Sequence, residues 1–529
     1  LTQRAGTAGS RIRLQAAGQS WYSPPERINA RPELVFGLVG ALGTDLAPIE
    51  QDLRSALRSV GYKSEVIRLS ALFADLYARS HPGEKPSEPR MAELMRQGDE
   101  LRSIAGNDAA VALGIARLRN QRRRAKPDGE ERDAFATILR SIKHKDEIAT
   151  LREVYGPRFV LIGGWAPCKD RVVEVERRLR ADHPGRDVGW YAQQTALLMA
   201  RDERDEALPF GQGVRDAFEL ADVYVAVRSG QPISQRIARL VRLLFGAPFE
   251  TPTRLEEAMF LASGAGLRSS ASGRQVGAVV IDEDGEVLLT GVNEAPKAHG
   301  GQYWAEELPD HRDFTYGADV NDRLRLEIVS DLLARLHQAG WLSSAADTSD
   351  LDGLARRAMN GPLRSGRIGD LLEFGRIVHA EMAAICTAAR RGTALKGAIM
   401  CSTTYPCHEC ARLIIAAGIR KVVYIDPYPK SQIQEMFRDE VSEGPCAEEG
   451  TVVFEPFEGV APRLFRQVFE MPLRLRDKVT GQYHSWDGTS SPPRLLVDSV
   501  IPPLEPMELR VTHRFTSRIR SSAWGITGQ

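Results

Sequence analysis

Ala398-Ile-Met-Cys401, Ser402-Thr-Thr-Tyr-Pro406, Cys407-His-Glu-Cys410 and Ala411-Arg-Leu-Ile-Ile-Ala-Ala417 run consecutively. The first four residues read as a buried strand, Pro406 as a helix opener, and Cys407 to Ala417 as a helix. A second apolar run, Lys421-Val-Val-Tyr-Ile425, returns as a strand. Reading upstream, His379 opens an apolar helical run to Arg391, and Glu381 stands two residues into it. Further back, Gln275-Val-Gly-Ala-Val-Val-Ile281 and Val287-Leu-Leu-Thr-Gly291 flank Asp284-Gly285, the pattern of a hairpin. A helix from Leu255 to Leu267 precedes them, so an α/β unit begins near Thr253.

The chemistry of this unit lies in His379-Ala-Glu381 and Pro406-Cys407-His-Glu-Cys410. Two thiolates and one imidazole hold Zn²⁺ tetrahedrally and leave a fourth position for water. Both segments open helices, whose N-termini favour the thiolates of Cys407 and Cys410. Glu381 lies close to the ligand His379 and can take a proton from the attacking water and deliver it to a ring nitrogen and a leaving amine. A lone C-x-x-C is also half of many structural zinc sites or a redox pair. A structural zinc needs a fourth ligand, and His408 would have to turn back towards the metal to supply it. The combined pattern, with a strand between two helix starts, matches the H-x-E…P-C-x-x-C signature of zinc-dependent nucleobase deaminases.

The first 250 residues alternate strands with helices. Glu33-Leu-Val-Phe-Gly-Leu-Val-Gly40 reads as a buried parallel strand, followed by a helix with Leu46, Ile49, Leu53, Leu57 and Val60 at helical spacing. Thr44 or Asp45 is expected to cap it. Further strands are expected at 65–69, 134–139, 158–162 and 223–227, giving a parallel sheet covered on both faces. Gly37, Gly40, Gly43 and Thr44 lie between strand and helix, the context of a phosphate-binding loop. Counted from Gly37, the glycine and lysine positions of a Walker A loop hold Leu42 and Gly43. Without that lysine, NTP hydrolysis is not expected, although backbone amides can still cradle an anion. The cluster Arg117, Arg119, Arg122, Arg123 and Arg124 reads either as a phosphate-facing lid or RNA contact or, as for most such runs, a solvated helix face.

From about Thr253 to Pro429 the chain resembles the deoxycytidylate deaminase branch of the cytidine deaminases, on Val276-Gly-Ala-Val-Val280, Gly291-Val-Asn293, His379-Ala-Glu381 and Pro406 to Cys410. Nearly the whole chain resembles bacterial anti-phage dCTP deaminases, which join a P-loop-kinase-like domain to the deaminase. Phe36 to Asp45, Arg140 to Glu147 and Phe454 to Arg463 carry that likeness. The resemblance implies an N-terminal parallel-sheet domain followed by a three-layer α/β/α deaminase-like domain. The expected divisions are a flexible arm (1–29), the kinase-like domain (30–250), the deaminase domain (251–475) and an extended Pro/Ser/Arg-rich tail (476–529). It implies one Zn²⁺ per chain, with Mg²⁺ accompanying a triphosphate. Its substrate is dCTP, or dCMP, and its outcome depletion of the dCTP pool in defence against phage. It places Asn293 against the sugar. By position before the strand, Arg274 (and, more weakly, Arg268) reads either as a phosphate contact or as a solvated surface arginine, and Thr403 and Thr404, before the Cys helix, read as pocket-lining or as turn residues. His299 sits where some relatives place a second-zinc ligand; no cysteine accompanies it, so a solvent or phosphate-facing role is expected. A homo-oligomer, first of all a hexamer, and an inhibitory RNA or regulatory nucleotide are its implied partners.

Composition sets the outer limits. The 529 residues carry 70 Lys plus Arg against 70 Asp plus Glu, 43% hydrophobic residues and six cysteines. Zero net charge argues against whole-chain attraction to nucleic acid or anionic lipid. Six cysteines make no disulfide scaffold, and Cys168, Cys386, Cys401 and Cys446 lack metal spacing. The longest apolar run, Leu34 to Gly43, is too short to cross a bilayer. With no secretory signal visible, a soluble cytoplasmic protein is expected. Two rival readings share the motif: a base deaminase of RNA or DNA, disfavoured by the charge balance, and a regulatory nucleotide-binding protein with a structural zinc.

Overall fold

A computed structural model describes residues 31–524 except 85–87, 127–129, 204–212, 229, 318, 344–348, 365, 367, 369–373, 427–430, 445–449, 472–475, 478, 484, 497–503 and 523. The arm expected at 1–29 and Cys446 lie outside the described residues.

Two six-stranded sheets organise the chain. The first begins β1 (Leu34–Val39), α1 (Ala47–Ser59), β2 (Lys63–Arg68), α2 (Leu69–Ser80), α3 (Arg90–Ala105), α4 (Ala109–Ala125) and β3 (Phe135–Ile142). It continues through α5 (Lys145–Tyr155), β4 (Phe159–Trp165), α6 (Cys168–Asp182), α7 (Val188–Glu203), α8 (Val214–Phe218), β5 (Val223–Ala226) and α9 (Ser234–Leu244). The second comprises α10 (Arg254–Gly266), β6 (Gly277–Ile281), β7 (Val287–Val292), α11 (Val320–Gln338), α12 (Leu351–Asn360) and α13 (Ala380–Arg391). Then follow β8 (Ile399–Thr404), α14 (His408–Ala416), β9 (Lys421–Asp426), α15 (Ile433–Met436), β10 (Val441–Glu443) and β11 (Val452–Pro456). β12 (Gly459–Val460), α16 (Pro462–Phe469) and α17 (Leu504–Arg520) end the chain.

The first sheet has the order β12-β5-β4-β1-β3-β2, parallel throughout except for β12. All six residues of β1 are buried, because helices cover both faces of its central position. Ile49, Leu53 and Leu57 form the buried stripe of α1, four residues apart as a helix requires. The helix starts later than expected: Leu46 is its N-cap, and Asp45 stands one residue before it, its Oδ1 accepting the Ala47 amide at 3.0 Å. Gly37, expected in the loop, lies within β1.

The second sheet runs β10-β11-β9-β8-β6-β7. β6 is antiparallel to β7 and β8, and β8, β9, β11 and β10 are parallel. The fold is thus mixed α/β, with both sheets dominated by parallel pairing.

Three stretches differ from expectation. The stretch after Leu336 to about Gly369, whose Gly and Arg content reads as a linker, contains α12, packed on α11. β12 falls inside the stretch expected for the second domain, yet it pairs with β5 of the first sheet. Glu256 at the start of α10 locks that crossing: buried, it accepts the Val460 amide at 2.9 Å and both arms of Arg239 at 2.9 and 2.8 Å. Finally, the tail expected to be extended contains the 17-residue α17. Leu504, Val511, Phe515 and Ile519 are buried along one stripe, and α17 lies against α3, α4 and α5.

The arginine cluster of α4 explains that docking. Arg122 is buried and donates to Glu33 Oε2 at 2.6 Å and to Glu508 of α17 at 2.5 and 2.9 Å. Tyr155 adds its hydroxyl to Glu508 at 3.0 Å, and Arg119 and Arg123 pair with Glu505. Of the two readings left open, neither the phosphate lid nor the solvated face describes Arg122.

Candidate metal centre and active site

The site sits where α13 and α14 begin, at the end of β8. His379 is the N-cap of α13 and Cys407 the N-cap of α14, with Cys410 in the first turn. Gly291 of β7 makes this possible: a Cβ there would stand 2.0 Å from the Ala380 carbonyl oxygen, so a side chain would push the first turn of α13 off the sheet. That turn carries both His379 and Glu381.

His379 Nδ1 lies 3.3 Å from Cys407 Sγ and 3.4 Å from Cys410 Sγ. Among the described residues these three form the one group of His, Cys, Asp and Glu side chains close enough to hold a metal, their ligand atoms all within 4.8 Å of one another. A tetrahedral zinc with bonds of about 2.3 Å to sulfur and 2.0 Å to nitrogen separates such atoms by about 3.5 Å. The donor set therefore fits zinc. The hydrogen bond from Cys410 and then the neighbouring imidazole hold the Cys407 thiol below its ordinary value, which favours a thiolate within the pair. His408 is not in the group, so among the described residues three side chains are candidate ligands.

Glu381 is buried beside this set. Its Oε2 lies 3.4 Å from Cys410 Sγ, and its Oε1 accepts the Ser402 hydroxyl at 2.8 Å. Burial pushes its carboxyl above the ordinary value, with the Ser402 hydrogen bond opposing that rise. The arrangement pairs a metal-binding triad with a carboxyl that can exchange a proton, one oxygen held and the other facing the triad.

The remaining expected residues are distributed around the β7 end. Asn293 spends its side chain on the backbone, donating to the Arg274 carbonyl at 2.7 Å and accepting the Val276 amide at 2.7 Å. It thereby fixes the segment bearing Arg274, whose residue is exposed. Thr403 Oγ1 accepts the Gly277 amide at 3.1 Å, and Thr404 ends β8. His299 is exposed, in a turn with positive φ. Arg268 lies over the Trp304 ring at 4.0 Å and donates to Gln302 at 2.8 Å.

Sequence reasoning missed Ser402 and Glu294. Glu294 is buried and receives Ser270 N, Ser270 Oγ and Ala295 N at 2.7–2.8 Å, which ties the β7 end to the segment after α10. Ser402 lies in a strand beside the cysteine motif, with no spacing that marks it. Only its neighbour across the sheet layer, Glu381, gives it a role.

Residues 252–426 match the family described as the cytidine and deoxycytidylate deaminase zinc-binding region. The chain is 46% identical over 55 residues to the deoxycytidylate deaminase of Enterobacteria phage T4, covering 10% of this chain and 28% of that protein. It is 43% identical over 56 residues to the Homo sapiens deoxycytidylate deaminase (10% and 30%) and 41% identical over 63 residues to ComE operon protein 2 of Bacillus subtilis (12% and 33%). The chain thus spans about three tenths of the length of these curated relatives. Among solved structures, it is similar to the dCMP deaminase of cyanophage S-TIM5 in complex with dCMP and dUMP, at a TM-score of 0.21 and 18% identity, over 38% of this chain and 94% of that one. Within a longer two-sheet chain, the segment that carries His379, Glu381, Cys407 and Cys410 is the one that matches the cytidine and deoxycytidylate deaminase zinc-binding region.

Proposed function

We propose that this domain converts a free deoxycytidine nucleotide, with dCTP as its main substrate, into the deoxyuridine nucleotide and ammonia. The observation that carries the reading is Glu381: its carboxyl is buried, held by Ser402 at one oxygen and directed at the His379, Cys407 and Cys410 set by the other. Zinc bound by those three residues supplies Lewis acidity that lowers the pKa of a water. Glu381 accepts a proton from the water that adds to C4 of cytosine and passes it to N3. It then delivers the second proton to the 4-amino group as the C4–N bond breaks, so that ammonia leaves and the carbonyl of uracil remains. Asn293 supports the reading by fixing the backbone at 274 and 276, the segment on which we assign Arg274 to a phosphate. The sequence resemblance to two-domain dCTP deaminases supports the triphosphate, for which Mg²⁺ would be the companion ion. It also supports an antiviral outcome by pool depletion, a homo-oligomeric enzyme, and restraint by an RNA or nucleotide.

The test is ammonia release by the full chain from dCTP, dCMP, deoxycytidine and a single-stranded oligonucleotide, assayed in parallel. Turnover should be fastest with dCTP. A preference for dCMP would remove the triphosphate assignment, and turnover confined to the oligonucleotide would replace the free-nucleotide reading with base editing.

A further inference from the structure

The first sheet ends in a crevice of its own. β1 is central, the chain builds β3 and β2 on one side of it and then β4 and β5 on the other. In such open parallel sheets ligands bind outside the strand ends where the order reverses. Here that point is occupied by the loop 40–44 after β1, Lys143 after β3 and Trp165 at the end of β4.

The loop is already holding an anion. Asp202, near the end of α7 and 0% exposed, accepts the Leu42 amide at 2.5 Å through Oδ2. Its Oδ1 accepts Lys143 Nζ at 2.7 Å, and the same ammonium donates to the Gly40 carbonyl at 3.1 Å. A backbone amide and a lysine converging on one anion are the donors that a phosphate loop offers. A lysine could not stand at position 43. Gly43 has φ +87°, and a Cβ would lie 2.4 Å from the Arg171 carbonyl oxygen. Lys143 reaches the same loop from a strand about a hundred residues away.

Asp202 does not satisfy the crevice. Thr44 Oγ1, on the loop itself, and Trp165 Nε1 are buried without a hydrogen-bond partner among the described residues, in side chains 7% and 8% exposed. Arg171 Nη1, on the helix whose backbone abuts Gly43, is buried and unpartnered as well. Buried polar atoms are normally paired, so an unpaired Thr44 hydroxyl on the loop, with unpaired donors on the adjoining strand end and helix, is not what a finished structural ion pair would leave.

We infer that this crevice is a second ligand site, for the phosphate chain of a nucleoside triphosphate or polyphosphate, and that the Asp202 carboxylate is an internal anion that the ligand displaces from Leu42 N and Lys143. Thr44, Trp165 and Arg171 supply the additional donors that a phosphate chain can use and a carboxylate cannot. No bond is made or broken, so the site binds without hydrolysing.

Calorimetric titration of the full chain with tripolyphosphate, ATP and adenosine tests this independently of deamination. Tripolyphosphate should bind the wild type. Lys143→Met should weaken it at least tenfold, and Asp202→Asn, which removes the competing charge, should tighten it by a similar factor. Thr44→Val, nearly isosteric, gives a second reading if Asp202→Asn does not fold, with an expected loss of about fivefold. Equal affinity for ATP and tripolyphosphate assigns recognition to the phosphates, and tighter ATP binding adds a nucleoside contact; both support the site. Binding of adenosine as tight as ATP, equal affinity of wild type and Lys143→Met, or no binding of either phosphate ligand by wild type and Asp202→Asn would overturn it.

Discussion

The two sheets place their polar groups in the same way, beyond strand ends and beside helix starts, but they draw them from different distances along the chain. The metal centre takes His379 and its cysteines from two helices, with partners 28 and 31 residues apart. The crevice of the first sheet takes its partners over separations of 103 and 160 residues. A centre built from two adjacent helix starts depends on one strand, β8, and on the close approach at Gly291. A crevice built from β1, β3, β4 and α7 depends on the whole parallel sheet being in register. Substitutions should therefore separate the two: local ones silence the metal centre alone, whereas loosening the first sheet's packing should reach its crevice first.

The largest separation comes from the ligands. Cys407→Ser removes one of three protein ligands, so zinc content should fall from about one per chain to below about a tenth, with deamination falling beyond detection. Elemental analysis and ammonia release measure both, while tripolyphosphate titration should be unchanged. Retained zinc would mean that a fourth protein ligand exists. Glu381→Gln sharpens the same centre without emptying it. The amide keeps shape but cannot accept a proton, so turnover should fall by about 10²–10⁴ with zinc retained. Zinc loss in that variant would make Glu381 a ligand.

The opposite manipulation is Glu508→Ala. It leaves Arg122 buried with only Glu33 for a partner and withdraws the acceptor of Tyr155. Breaking a buried pair in this way costs about 3–5 kcal/mol. Chemical denaturation should show that loss in the first sheet, with zinc content intact. An unchanged unfolding curve would mean that α17 contributes little to the sheet it covers.

How much of this was readable in advance follows the same division. The strands β1, β3, β4 and β5, the hairpin and the two ligand-bearing helices were legible because each announces itself within a dozen residues, by a buried run or a helical period. The grouping of His379, Cys407 and Cys410 was legible because two cysteines and a histidine at helix starts have few uses other than holding a metal. The tail was misread for a physical reason. Arg510, Arg514 and Arg518 look like a basic extension, yet their spacing of four is one face of a helix, and Leu504, Val511, Phe515 and Ile519 are the other. Arg514 meets Asp108 and Arg518 donates to the Ala105 carbonyl at 2.7 Å, contacts that only the folded first sheet provides. Lys143 and Asp202 were invisible for the same reason: nothing near Gly40 in sequence indicates a lysine that arrives from another strand. The contribution of β12 to the first sheet was likewise hidden, since two residues carry no period.

The smallest expected effect concerns Ser402, and it tests whether the carboxyl of Glu381 needs holding as well as burying. Ser402 is 0% exposed and donates to Glu381 Oε1 at 2.8 Å, while Oε2 faces Cys410. Without that donor the carboxylate keeps its place on α13, because the helix start is fixed by the packing of Ala380 on Gly291. It loses one hydrogen bond to a charged group, worth about 1.5–3 kcal/mol, and with it the constraint on which oxygen faces the metal triad. Ser402→Ala should therefore lower kcat about tenfold, with KM for dCTP and zinc content nearly unchanged. Ser402→Thr, which keeps the hydroxyl, should recover most of the rate. A merely structural serine would behave differently: the alanine variant would lose thermal stability without a selective change in kcat, and threonine, larger by a methyl group in a filled strand position, would be the worse of the two. Equal kcat in wild type and Ser402→Ala would show that burial on α13 alone orients the carboxyl, and that the metal centre needs nothing from β8 beyond the strand that carries its cysteines into place.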